Sequence, residues 1–400
     1  TTIWVAIGLA VFTVLFGTRN LDANERHHGV VTAIAVEALV KLAALLAVGI
    51  FVVWFLADGP RDILQRINAS PIAQAQSESG RWLALIFLSG AALLCLPRMF
   101  QVLVVENEDE RHLAPASWAF PLYLALMSLF VVPIAAMGLE LMPEGSNPDL
   151  FVLTLPLSLN QDALAMLVFL GGFSSATSMV IVAAIALSTM ISNHIVIPIW
   201  LSLSREGATV SGDVRGVVLL ARRCGIAGIL ALGYAYYRYS GGGAALAAIG
   251  LVSFAGVVQV LPALIGGLFW RGATRVGAAL GVSTGFLIWL YTMFLPSFGP
   301  DVLLPAQLLS EGPWGIGWLR PQALFGLGNL DPLVHAVVWS MVVNSSMFVI
   351  GSLASFPQPL ERLQGAQFVN VFEYTTSRRS ISHGAVEAED LLIMAQRILG

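Results

Sequence analysis

Long, unbroken apolar runs separated by short polar stretches make up most of the chain, and the runs do not alternate between apolar and polar positions. Nine of them read as membrane-crossing helices. They are Ile3–Phe16, Val30–Leu56, Trp82–Leu96, Ala119–Leu139, Ala163–Met190, Gly216–Tyr236, Ala244–Phe269, Val276–Phe294 and Leu333–Ser355. Crossing about 30 Å of hydrocarbon at about 1.5 Å per residue takes roughly 20 apolar residues. Only helices and closed barrels satisfy their own backbone there, and continuous runs fit helices rather than barrel strands. The first run is short for a span. The expected class is therefore an all-α membrane protein with about nine spans.

Between the last two spans, Leu295–Leu330 is rich in Pro, Gly and Trp and too interrupted to cross. It reads as a cap or partly re-entrant segment on the outer side. After Ser355 the pattern becomes polar. A final stretch, Val386–Leu399, predicts a helix with Leu391, Leu392, Ala395, Ile398 and Leu399 on one face and acidic residues in its first turns, where the helix dipole favours them. The expected division is a membrane domain over 1–355 and a cytoplasmic tail over 356–400 that begins a further domain.

Composition sharpens this picture. Of 400 residues, 57% are hydrophobic and 11% charged, with a mean hydropathy of +0.81. Soluble domains carry about 25% charged residues, so a water-soluble protein is excluded. No basic tract points to nucleic acid. Cys95 and Cys224 lie far apart and read as small buried hydrophobes. Lys41 is the only lysine, and fourteen of the nineteen arginines fall on one side if Thr18–Gly29 is cytoplasmic. That bias supports the span count and predicts a cytoplasmic C-terminus. The chain opens inside an apolar run and closes within an amphipathic one, so both ends read as cuts in a longer protein.

Three groups of residues are candidates for chemistry. In Ala163–Met190, Gly171, Ser174, Ser175 and Ser178 recur at i, i+3, i+4 and i+7 and share one helical face. Hydroxyls and exposed carbonyls suit a hard cation. The same spacing also describes a small-residue seam between helices, and both readings stand at this point. Glu37 and Lys41 are the only formally charged residues deep in a span, one turn apart with the acid first, the better order for a helical pair. Gln259 and Asn344 are amides at membrane depth whose expected role is interhelical hydrogen bonding, and Gly277, Gly281 and Gly285 form a packing ridge. Pro97 and Pro133 are expected to break helices at span ends, and Pro262 lies inside a span. No arrangement of catalytic or metal-ligating side chains stands out. His194 lies 20 residues beyond Ser174 in sequence, about 30 Å along a helix, and His27-His28 beside Glu25 is too small a ligand set for a metal.

The stretch Gly171–Ser178, followed by Ile191-Ser192-Asn193-His194-Ile195-Val196-Ile197-Pro198, resembles the sodium:solute symporter family. Gln259–Gly285, with Pro262, Trp270, Arg271 and the glycine ridge, resembles a later helix of that family. The resemblance covers about Ile3–Ser355 and implies an inverted-repeat (LeuT-like) bundle whose first helices are missing here. It implies a sodium site to which Gly171 gives a backbone carbonyl and Ser174 and Ser175 give hydroxyls. It also implies a substrate path along Ser89, Leu93, Pro97, Ser178 and Gln259. Family proline carriers have aromatic residues where this chain has Ser89 and Leu93, which departs from a proline-shaped substrate.

A narrower resemblance is to transporter domains of CbrA-like bacterial sensor histidine kinases. It is carried by Phe16–Arg19, Glu25–Gly29, Ala35–Leu42, Leu319–Leu327, Leu330–Leu333 and the closing Glu389–Leu392 with Arg397–Gly400. It implies kinase domains downstream in the same chain, so the full-length protein would be an enzyme although this part holds no catalytic site. The expected function is cation-coupled uptake of a small solute, an amino acid with histidine as one candidate, joined to signalling. The alternative is a non-transporting receptor that senses the solute for the kinase. The expected partners are the solute and the lipid bilayer, with no cofactor beyond a coupling ion, Na⁺ or H⁺.

Overall fold

The computed structural model describes residues 2–17, 28–74, 79–107, 109–203, 213–240 and 246–371. The predicted tail helix over Val386–Leu399 lies outside the described residues, as does most of Thr18–Gly29. Among the described residues there is no β-strand, only an isolated bridge between Pro300 and Leu304. The helices are α1 (Thr2–Gly17), α2 (His28–Phe51), α3 (Pro60–Ala69), α4 (Pro71–Gln74), α5 (Ser79–Cys95), α6 (Pro97–Phe100), α7 (Leu113–Ser128), α8 (Val131–Leu141) and α9 (Phe151–Ser158). They continue with α10 (Asp162–Ile191), α11 (Ile197–Leu203), α12 (Asp213–Tyr239), α13 (Leu246–Val257), α14 (Leu261–Phe269), α15 (Arg275–Trp289), α16 (Ala306–Glu311), α17 (Pro332–Ala354) and α18 (Pro359–Val369).

Among the described residues, seven helical runs are long and apolar enough to cross a bilayer: Thr32–Leu56, Glu110–Leu141, Asp162–Trp200, Arg215–Tyr239, Ala247–Phe269, Arg275–Phe298 and Pro332–Ala354. The chain is an all-α, multi-pass membrane protein. An eighth span forms if Gly80–Cys95 and Pro97–Val105, bent by 55° at their junction, act as one. The bend has a local cause. Leu96 is extended, as a residue before proline prefers, and Pro97 has no N–H to continue the ladder. The first predicted run is helical, but its apolar part, Ile3–Leu15, is shorter than a span.

The other breaks fall where local chemistry allows. Asp162–Trp200 outruns the predicted span because the backbone continues through a π-helical turn at Ser192–Val196 instead of stopping near Met190. Pro133 does not break its run. The interruption comes earlier, at Leu129–Phe130, and Pro133 sits in the first turn of α8, where a missing N–H costs nothing. Pro262 likewise opens α14, after a 3₁₀ turn over Val258–Val260. Leu295–Leu330 carries α16 and short 3₁₀ turns, with Trp314 and Phe325 at positive φ, and no spanning helix.

The described chain divides into two units. One comprises 1–254 with 295–316, the other 255–294 with 317–400. The core of the first gathers Val48, Val52, Ile63, Met137, Leu155 and Val168 from α2 and the π-helical turn after it, α3, α8, α9 and α10. Two of these elements, α3 and α9, are absent from the nine predicted runs. Helix α3 is amphipathic and buries Ile63. It is clipped to α8 by Arg66, which lies 2.8 Å from Asp62 and 2.6 Å from Glu140. The Arg66 hydrogen bond holds the Asp62 carboxyl below its ordinary range.

The second unit is built on α15 against α17. Gly277, Gly281 and Gly285 are buried there, and they let α17 come within backbone contact. A Cβ at Gly277 would lie 2.6 Å from the Phe348 carbonyl oxygen, and one at Gly285 would lie 2.4 Å from Gln259 Oε1. The predicted glycine ridge is thus a helix seam.

Candidate functional site

Helix α10 is the common neighbour of most of the sequence-derived candidates. It packs against α2, which carries Glu37 and Lys41, and against α6, which begins at Pro97. Gly171 is buried at the α2 contact. A Cβ there would lie 3.3 Å from Ala44 Cβ, 3.5 Å from Lys41 Cα and 3.8 Å from the Val40 carbonyl oxygen. Val168, one turn earlier on α10, joins Val48 and Val52 in the core. The two helices therefore run in opposite directions. The next turn of α10, with Ser174 and Ser175, comes level with the Glu37–Lys41 turn of α2.

Ser174 and Ser175 are half-buried, and their hydroxyls hold no hydrogen bond among the described residues. The hydroxyls that bond back onto the preceding turn belong to their neighbours. Thr177 Oγ1 donates to the Phe173 carbonyl at 3.0 Å and to the Ser174 carbonyl at 2.8 Å, and Ser178 Oγ donates to the Ser175 carbonyl at 3.4 Å. Thr177 thus takes the local role that spacing alone left open for the serines. Ser178, on the predicted face, is occupied locally as well. In kind, two uncommitted hydroxyls beside a close backbone contact fit a hard monovalent cation. Among the described residues no group of three His, Cys, Asp or Glu side chains could hold a metal ion.

Glu37 and Lys41 are both half-buried, on one face of α2. No ion pair or hydrogen bond closes between them among the described residues, where the sequence predicted mutual neutralisation. One helical turn permits such a contact without enforcing it, because two long side chains lose rotamer freedom to make it. Nearby, the Tyr123 hydroxyl of α7 donates to the Ala38 carbonyl at 3.1 Å and ties the two helices together. Ser89 is exposed, whereas Leu93 and Pro97 are half-buried along α5 and α6. Arg98, not singled out in the sequence, follows Pro97 at the bend with its Nε buried and without a partner among the described residues.

Gln259 belongs to the second unit, is 1% exposed, and is held in an amide network. Its Nε2 donates to the Ala255 carbonyl at 3.0 Å and to Ser340 Oγ at 2.9 Å. Asn344 Nδ2 donates to the Gln259 carbonyl at 2.7 Å and to Gln259 Oε1 at 3.0 Å. Gly285 makes room for both amides. A group so bonded and buried braces the helices around it. Ser340, one turn before Asn344 on α17, is the member that sequence reading missed. His335 is also fully buried, and its Nε2 accepts the Leu324 N–H at 2.9 Å, which pins the turn preceding α17 onto that helix.

The amide network makes a direct prediction. Asn344→Ala and Gln259→Ala each leave buried polar groups unpaired and are expected to cost about 1–3 kcal/mol. Because each removes the other's partner, the double variant is expected to cost at least about 1 kcal/mol less than the sum of the singles. Thermal unfolding in detergent measures all three, and additive effects would show that the amides act independently.

Comparison of the chain with protein-family models, with curated proteins and with solved structures returned no match.

Proposed function

We propose that this chain is the membrane domain of a sodium:solute symporter-type carrier with an inverted-repeat architecture. It couples inward movement of a cation to uptake of a small solute, an amino acid, and it passes the consequence to kinase domains further along the same chain. The observation that carries this reading is the buried α2–α10 seam. There Gly171 brings two backbones together one turn from two serine hydroxyls that no side chain or carbonyl occupies among the described residues. A neutral hydroxyl at membrane depth gains most from a partner, and a cation held by two of them supplies it without stranding a charge. The broken helix at Pro97 packs on the same α10, and broken helices at a packed interface are where carriers place small substrates.

One observation favours a proton as the coupling ion. Glu37 is half-buried without an ion-pair partner among the described residues, and an intramembrane carboxyl of that kind is suited to carrying a proton. The deciding experiment is uptake of radiolabelled amino acids by the full-length protein in vesicles, under a sodium gradient or a proton gradient alone. Uptake driven by sodium and abolished without it is expected. Uptake driven equally by protons, and lost in Glu37→Gln, would assign the coupling to the carboxyl. Solute binding without uptake under either gradient would replace the carrier with a receptor.

A further inference from the structure

We propose that α18 is an interfacial helix that seats the second unit in the phospholipid headgroup layer. The inference begins with where α18 is tied. Its Gly365 approaches the Arg271 carbonyl oxygen, with a Cβ position 3.8 Å away. Glu361 Oε1 accepts the Arg275 N–H at 3.3 Å, and Arg271 Nη2 donates to Asn370 Oδ1. All three contacts are to the turn between α14 and α15 or to its edges. That turn joins the end of one spanning run, at Phe269, to the start of the next, at Arg275. Helix α18 itself starts only five residues after α17, another spanning run, ends at Ala354. Three span ends meet at α18, so it lies at the level of the membrane boundary.

The helix is built to begin there. Gln358 and Glu361 form a capping box, with the Gln358 N–H donating to Glu361 Oε2 at 2.9 Å, and Pro359 occupies the first turn. At about 100° per residue, Leu360, Leu363 and Phe368 fall within one arc of about 140°, beside the arc of Glu361 and Gly365 that is docked on the turn. They are 62%, 50% and 56% exposed, and Phe356 just ahead of the helix is 92% exposed. Arg362 points to the opposite side of the helix from the apolar arc. Gln364 and Gln367 are interleaved on that arc, a mixture suited to the headgroup and acyl boundary rather than to hydrocarbon. An exposed apolar arc on a helix tied to a membrane boundary, with its cation on the far side, is the arrangement of an in-plane anchor.

The test uses the full chain, with Cys95 and Cys224 replaced by serine, reconstituted in phosphatidylcholine–phosphatidylglycerol vesicles. An environment-sensitive dye is attached singly at Leu360→Cys, Leu363→Cys, Phe368→Cys and Arg362→Cys. At the three apolar positions the dye is expected to shift to the blue and to lose intensity to lipids carrying a shallow spin label, with little loss to aqueous iodide. At Arg362→Cys the reverse is expected, which also reports that α18 is folded. Equal loss to iodide at all four positions would overturn the proposal by showing a wet helix. Protection of the apolar positions from both quenchers would overturn it too, because protein and not lipid would then cover the arc.

Discussion

Alanine at Gly277 is expected to destabilise the second unit more than any other single methyl added to this chain. The new Cβ would lie 2.0 Å from Ser352 Oγ, 2.6 Å from the Phe348 carbonyl oxygen and 2.7 Å from the Ser352 nitrogen. Ser352 can rotate its hydroxyl away, but the other two atoms are backbone of α17 and cannot move without shifting the helix. The shift also breaks the short contacts beside it, where the Thr274 N–H donates to Ser352 Oγ at 3.3 Å and the Thr274 and Ser355 hydroxyls meet at 2.7 Å. Overpacking together with lost buried hydrogen bonds is expected to cost about 2–4 kcal/mol. Gly267→Ala is the control, since its Cβ would meet nothing within 4 Å. Thermal unfolding followed by protease resistance in detergent separates the two. Equal stability of both variants would mean that the α15–α17 seam is loose in solution.

The second large effect concerns Ser174 and Ser175. If they share a coupling cation, Ser174→Ala and Ser175→Ala each remove one hard oxygen without harming the helix, since alanine is the best helix former. Each loss is expected to cost about 1–2 kcal/mol of ion binding, read as a roughly five- to thirtyfold rise in the sodium concentration for half-maximal uptake. The double variant is expected to lose sodium dependence within any accessible range. Thr177→Ala serves as the comparison, because that hydroxyl is already spent on the Phe173 and Ser174 carbonyls. Its sodium dependence should stay near that of the parent. If all three alanine variants transport with unchanged sodium dependence, the α10 face is a packing seam and the coupling ion is held elsewhere.

Much of the architecture was legible in the residue pattern. Continuous apolar runs announce spanning helices because the bilayer leaves the backbone no other partner, and seven such helices are present among the described residues. The glycine ridge at Gly277, Gly281 and Gly285 and the break at Pro97 were legible for the same kind of reason. A missing side chain and a missing N–H act on the nearest turn, wherever the chain goes next. The amphipathic α3 and the short α9 were not legible as spans, because their apolar residues are few and gain meaning only through the core that holds Ile63 and Leu155.

The candidate site divides along the same line. Helical spacing alone put Gly171, Ser174 and Ser175 on one face, and Glu37 and Lys41 on another. Which hydroxyls are spent within α10, that Gly171 faces Lys41 and Ala44, and that no ion pair joins Glu37 and Lys41 among the described residues depend on rotamers and on the helix packed opposite. Gln259 shows the limit most clearly. Its polarity at membrane depth was evident from the sequence, yet Asn344 lies 85 positions further on, and only the close approach permitted by Gly285 brings the two amides within bonding distance. Periodicity decided which residues lie on a common face. Tertiary packing decided what each face meets, because a buried polar group takes its role from the partner that satisfies it.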